Sequence, residues 1–199
     1  MDALTERLVK EGRRPRLLLH ACCAVCASYV LEYLSPYFDI TIVYYNPNIT
    51  EESEYRYRLS ELERYVREAG LSGSVGFIEA DYDPESFLEL VRGREADREG
   101  GARCGLCFEQ RLSYTARKCG EGGYDYFATT LTISPLKNAE RINAIGEKLA
   151  AEYGVCYLAS DFKKKEGYKR SIELSKQYEL YRQNYCGCVF SAREAENRS

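Results

Sequence analysis

Seven of the nine cysteines fall into three tight groups: Cys22, Cys23 and Cys26 in C-C-x-x-C, Cys104 and Cys107 in C-x-x-C, and Cys186 and Cys188 in C-x-C. Within C-x-x-C the backbone turns around the intervening residues, so both sulfurs can face one centre, and thiolate pairs of this kind hold zinc or an iron–sulfur cluster. A single pair would equally suit a redox dithiol. Three groups together are a stronger signal for metal. One four-thiolate centre would leave three thiols over, so the set reads as one centre with spare thiols or as two centres close together. The groups lie about eighty residues apart, and only tertiary structure can unite them, unlike the short local module of a structural zinc site. Spacing alone ranks an iron–sulfur or mixed iron site above zinc, and zinc above metal-free thiol chemistry. Adjacent residues project in different directions, which suits Cys22 and Cys23 to serving two neighbouring centres. Cys156, in the apolar run VCYL, reads as a small buried hydrophobe, and Cys119, before Gly120, is assigned no role.

The elements that must position these thiols alternate along the chain. RLLLHAC (16–22), DITIVYYN (39–46), SVGFIEAD (74–81), YDYFATTLTI (124–133) and VCYLASD (155–161) read as strands. Helical spacing covers 26–37, 51–70, 84–93, 108–120, 138–154 and 171–184; in 51–70, Tyr55, Leu59, Leu62 and Val66 form one stripe. A polar stretch, READREGGARCGLC (94–107), interrupts the rhythm and carries the second cysteine pair. Strands alternating with helices specify an α/β fold, a parallel sheet with flanking helices. In such sheets ligands sit outside the carboxyl ends of the strands. Cys22, Cys23 and Cys26 directly follow the first strand, and Asp81 and Asp161 also follow strands, so all are expected at that crevice. His20, the only histidine, reads as a hydrogen-bonded core residue.

The 199 residues suit a single domain spanning 1–199; 45% are hydrophobic and 30% charged, the balance of a soluble globular protein. No run of eighteen apolar residues is present, and MDALTERLVKEGRRPR lacks the apolar segment of a signal peptide. A cytoplasmic protein with reduced cysteines is therefore expected. A net charge of −3 neither demands nor excludes a nucleic-acid partner, which needs only a local basic patch. KKKEGYKR (163–170) is the densest such patch.

With all three cysteine groups in view, the chain resembles the QueH-type epoxyqueuosine reductases. The resemblance runs through LLLHACCAVCASYVL, IVYYNPNI, EGGARCGLCFEQRL, FATTLTISPLKN, SDFKKKEGYKRS and LYRQNYCGCVFS, nearly the whole chain in order. It implies reduction of epoxyqueuosine to queuosine at the tRNA wobble position, without cobalamin, by a [4Fe–4S] cluster next to an iron ion. It also implies a Rossmann-like fold similar to the PP-loop ATPases of the HUP class. The corresponding loop here, ACCAVCAS, has no glycine, so ATP pyrophosphatase activity is not expected.

On this resemblance the seven clustered cysteines are metal ligands, though sequence cannot apportion them between cluster and iron. Asp81 and Asp161 are candidates for an iron ligand or a general acid. Lys164 and Arg170 are candidate phosphate contacts, Tyr45, Tyr181 and Tyr185 candidate stacking surfaces for an extruded base, and Asn46 and Asn48 candidate readers of the substrate edge. The partners would be tRNA and an electron donor, with no membrane. The competing reading is a zinc-stabilised nucleic-acid-binding module without redox activity.

Overall fold

The computed structural model describes residues 2–197. Four strands, β1 (Arg16–His20), β2 (Asp39–Tyr44), β3 (Val75–Glu79) and β4 (Tyr126–Thr129), form an all-parallel sheet in the order β3-β2-β1-β4. β1 is central, and Leu17, Leu18 and Leu19 are completely buried because both faces of the sheet are covered. Strand alternation splits them: Leu17 and Leu19 pack in one core with α2 (Ala24–Leu34) and α3 (Glu52–Glu68). Leu18 packs on the other face with Phe108, Leu112 and Ala116 of α5 (Ala102–Glu121) and Ile142 and Leu149 of α6 (Ala139–Tyr153). The expected stripe on α3 is buried, with Tyr65 and Arg58 added to it.

A third, smaller cluster joins Phe87 of α4 (Pro84–Leu90), Cys107 of α5, Cys188 and Phe190 of α8 (Val189–Glu196). It already draws the second and third cysteine groups together. The chain leaves β1 toward β2 and β3, then returns to the far side of β1 as β4. The carboxyl ends of β1 and β4 therefore flank a topological switch point. Beyond β1 lie Cys22 to Cys26, and beyond β4 a 3₁₀ turn, Thr130–Ile133.

Several expectations need correction. The segment 155–161 adds only one bridge, Phe127 with Tyr157, at the sheet edge. Tyr157 packs on Phe127 while Cys156 faces solvent, so Cys156 is exposed rather than a buried hydrophobe. α5 begins at Ala102 instead of 108, which puts C-x-x-C on the first turns of a helix rather than in a loop. α7 spans Gly167–Gln177, and 182–188 is irregular. The N-terminal α1 (Asp2–Glu11) was not anticipated from its charged sequence. Among the described residues no helix is long and apolar enough to cross a membrane.

Candidate metal centre

The first cysteine group is compact. β1 ends at His20, Cys23 is the N-cap of α2, and Cys26 lies in its first turn. The three sulfurs lie within 4.8 Å of one another, with Cys22 Sγ and Cys23 Sγ 3.9 Å apart. Cys22 and Cys23 thus converge on one spot, contrary to the expectation that the adjacent thiols serve two centres. Cys23 itself is extended (φ −169°), where the chain passes from β1 into α2. Hydrogen bonds from the Cys23 and Cys26 thiols hold Cys22 well below the ordinary thiol range, against the cost of burial and with help from Arg111 and Lys137. Donating to Cys22 pushes Cys23 up to about 11 and holds Cys26 well above its ordinary value.

The second and third groups meet in an adjoining cavity lined by Cys104, Cys107, Cys186 and Cys188. Cys104 and Cys107, three residues apart, share a face of the first turns of α5, and Cys188 is the N-cap of α8. All three cysteine groups thus reach helix N-termini, whose positive ends favour thiolates. Backbone N–H groups of Gly100 and Ser191 donate to Cys104 Sγ (3.2 Å) and Cys188 Sγ (3.4 Å), and Arg111 Nη1 reaches Cys107 Sγ at 3.9 Å. Burial pushes the Cys107 thiol up to about 12, so holding it as thiolate requires a cation.

Two glycines are needed here. Gly187, between the two sulfurs of C-x-C, has φ +120°, and a Cβ would lie 2.9 Å from Ile49 Cγ1. Gly105, inside C-x-x-C, leaves space for Arg141, whose Nη1 donates to the carbonyls of Gly100 (3.0 Å) and Gly101 (2.9 Å).

The two cavities adjoin: Cys186, Lys137, Leu136 and Glu99 line both. Buried arginines brace them. Arg58 of α3 binds Glu54 (2.7 Å) and donates to the carbonyls of Cys186 (3.0 Å) and Tyr185 (3.5 Å), fixing the C-x-C loop. Arg103 ties the 94–97 segment to α8 through the carbonyls of Glu95 (2.8 Å) and Asp97 and the Glu194 carboxylate (3.3 Å). Arg111 Nε donates to His20 Nε2 (3.2 Å), and its Nη2 to Asn46 Oδ1 (2.6 Å). Burial, then Arg111, push His20 down to about 3, so it stays neutral, with Nδ1 donating to Thr129 Oγ1 at 2.9 Å.

The other expected site residues scatter. Asp81 is exposed beyond β3 and lines neither cysteine cavity. Asp161 pairs with Lys163 (2.9 Å) at a separate pocket, which Lys164 also lines. The expectation that both aspartates reach the cysteine crevice therefore does not hold, because β3 is an edge strand and 155–161 barely joins the sheet. Asn46 is wholly buried, its Nδ2 on Ala21 O (2.9 Å) and its Oδ1 on Arg111, so it braces the site instead of facing a substrate. Tyr45 stacks on Tyr114 at 4.0 Å, Tyr181 donates to Glu54 (3.1 Å), and Arg170 pairs with Glu32 (2.8 Å). Tyr185 does line the larger cavity, and Asn48 lines the smaller one with its Oδ1 buried and without a partner among the described residues.

Sequence reasoning missed Arg58, Arg111 and Lys137. The signal for the arginines was a cation on the apolar stripe of a helix: Arg58 lies between Tyr55 and Leu59, and Arg111 between Phe108 and Leu112.

A parallel α/β sheet whose switch point gathers seven thiols at helix N-termini defines a Rossmann-like protein with a donor set suited to metal. The chain belongs to the epoxyqueuosine reductase QueH family, whose model matches residues 17–194. It is 48% identical to the epoxyqueuosine reductase QueH of Streptococcus pyogenes serotype M1, over 97% of this chain and 76% of that protein. It is 47% identical to that of Staphylococcus epidermidis, over 92% of this chain and 79% of the relative. The Dehalococcoides mccartyi protein of the same name is 36% identical, over 90% of this chain and 94% of its own.

Proposed function

We propose that the chain reduces epoxyqueuosine in tRNA to queuosine at the crevice where its thiols gather. The observation that carries this is the meeting of all three cysteine groups at two adjoining cavities in a member of the epoxyqueuosine reductase family. The donor set fits a [4Fe–4S] cluster on Cys104, Cys107, Cys186 and Cys188 and an iron on Cys22, Cys23 and Cys26. The three N–H···S bonds to Cys104, Cys107 and Cys188 are the kind that stabilise cluster thiolates. When bound, cluster and iron supply the two electrons of the reduction and a Lewis-acidic position toward the epoxide oxygen.

Epoxide, two electrons and two protons balance against alkene and water. The chain's own residues receive the substrate on the outer wall of the larger cavity, formed by residues 182–185 with Tyr168 and Ser171. Arg58 lies 5.2 Å over the Tyr185 ring and fixes it as a stacking face for the base. Gln183 Oε1, buried and without a partner among the described residues, is an acceptor for an amine or ring N–H of the base. Leu131 and Ile133, both buried, give this cavity an apolar wall, with Pro135 and Leu136 at its exposed rim. Proton delivery is assigned to groups at this wall, the Tyr168 and Tyr185 hydroxyls, and not to Asp81 or Asp161. Lys164 is assigned a tRNA phosphate.

The test is anaerobic purification with iron, sulfide and zinc analysis, followed by incubation of reduced protein with epoxyqueuosine-containing tRNA and nucleoside mass spectrometry. Iron, acid-labile sulfide and queuosine are expected. A colourless zinc protein that binds this tRNA without converting it would overturn the reading in favour of a zinc-stabilised binding module.

A further inference from the structure

Three arginine side chains are among the largest fully buried groups of the molecule: Arg58, Arg103 and Arg111. Arg58 has Glu54 at 2.7 Å and Arg103 has Glu194 at 3.3 Å. Arg111 contacts only the neutral His20 and Asn46 and the sulfur of Cys107, with no carboxylate partner among the described residues. A buried charge without a counter-ion is strongly unfavourable, so its anion must be supplied by the site itself. Lys137 poses the same question. It lines both cysteine cavities, as Glu99 also does, forms no ion pair among the described residues, and is acted on by the charges of Cys186, Cys22, Cys26 and Arg111. Arg111 lines the larger cavity and Lys137 lines both, and thiolate charge on the same walls offsets the repulsion between the two cations.

Resting on the proposed iron–sulfur reading, we propose that Arg111 and Lys137 are the fixed counter-charges of the thiolate site and set its reduction potential. Adding an electron makes a thiolate-bound cluster more negative, and nearby positive charge stabilises that reduced state and raises the potential. Both residues are positioning residues: they act on the metal through its sulfurs, and Arg111 does so through Cys107.

The test is an EPR-monitored redox titration of the anaerobically purified, tRNA-free holoprotein, comparing wild type with Arg111→Gln, Lys137→Gln and Lys137→Arg, each with iron and sulfide analysis. Each charge-removing variant is expected to show about a tenfold lower ratio of reduced to oxidised centre at the wild-type midpoint, about 59 mV for one electron. Lys137→Arg should stay within about threefold. Lys137, on a half-buried loop, carries the test if Arg111→Gln does not fold. Loss of iron from Lys137→Gln but not from Lys137→Arg also supports the charge role; loss from both contradicts it. Full iron with an unchanged potential in Lys137→Gln overturns the inference alone, even if tRNA binding weakens. Absence of iron and sulfide from wild type overturns the parent reading, and this one with it.

Discussion

At the scale of single residues, Arg58 connects an α-helix to a cysteine loop more than a hundred positions away. Its guanidinium is 1% exposed and holds the Cys186 carbonyl while paired to Glu54. Arg58→Met removes both contacts and leaves Glu54 without its cation, so a loss of about 3 kcal/mol in urea unfolding is expected, with reduced iron content. A loss below about 0.5 kcal/mol would mean that the loop is held by other contacts. Gly187→Ala places a side chain at φ +120° against Ile49 and should cost about 1–3 kcal/mol by the same measurement. The seven clustered cysteines were legible because spacing within each group is local. Arg58, Arg111 and the bracing role of Asn46 were not, because their partners are backbone carbonyls and side chains brought close only by the fold.

At the scale of elements, helix N-termini organise the donors: α2, α5 and α8 each begin at or beside a cysteine. The βαβ alternation exposed most of this in sequence, including β1 and the thiols at its end. The start of α5 was hidden, since Gly100, Gly101 and Gly105 read as loop residues, and the compensating partner, Arg141, lies in another helix. Gly105→Ala decides between these effects. Helix propensity would gain about 0.5–1 kcal/mol. The new Cβ, however, would fall on the Arg141 guanidinium and displace its two carbonyl bonds, worth about 1–3 kcal/mol. Net destabilisation of about 1 kcal/mol is expected, with faster amide exchange at 98–101; a stabilised variant with unchanged exchange would contradict the role given to Arg141.

At the scale of the molecule, metal would join segments that the chain keeps far apart, so binding and folding are coupled. Chelation should lower the thermal midpoint and speed limited proteolysis within 94–101 and 182–188 before the sheet core is cut. The basic segment 163–170 divides by its partners: Arg170 is paired with Glu32 and Glu173, whereas Lys164 lines an open pocket. Lys164→Gln should therefore weaken tRNA binding and reduce the log–log salt slope by about one, while Arg170→Gln should act mainly on stability. Equal effects of the two on the salt slope would contradict that division. The proposed chemistry turns on how the thiolates would be apportioned, three to an iron and four to a cluster. Iron and acid-labile sulfide analysis with Mössbauer spectroscopy of anaerobic Cys26→Ala and Cys104→Ala tests it most directly. Cys26→Ala is expected to keep its sulfide and lose about one iron in five, while Cys104→Ala loses its sulfide. Loss of the same iron and sulfide fractions from both variants would contradict it.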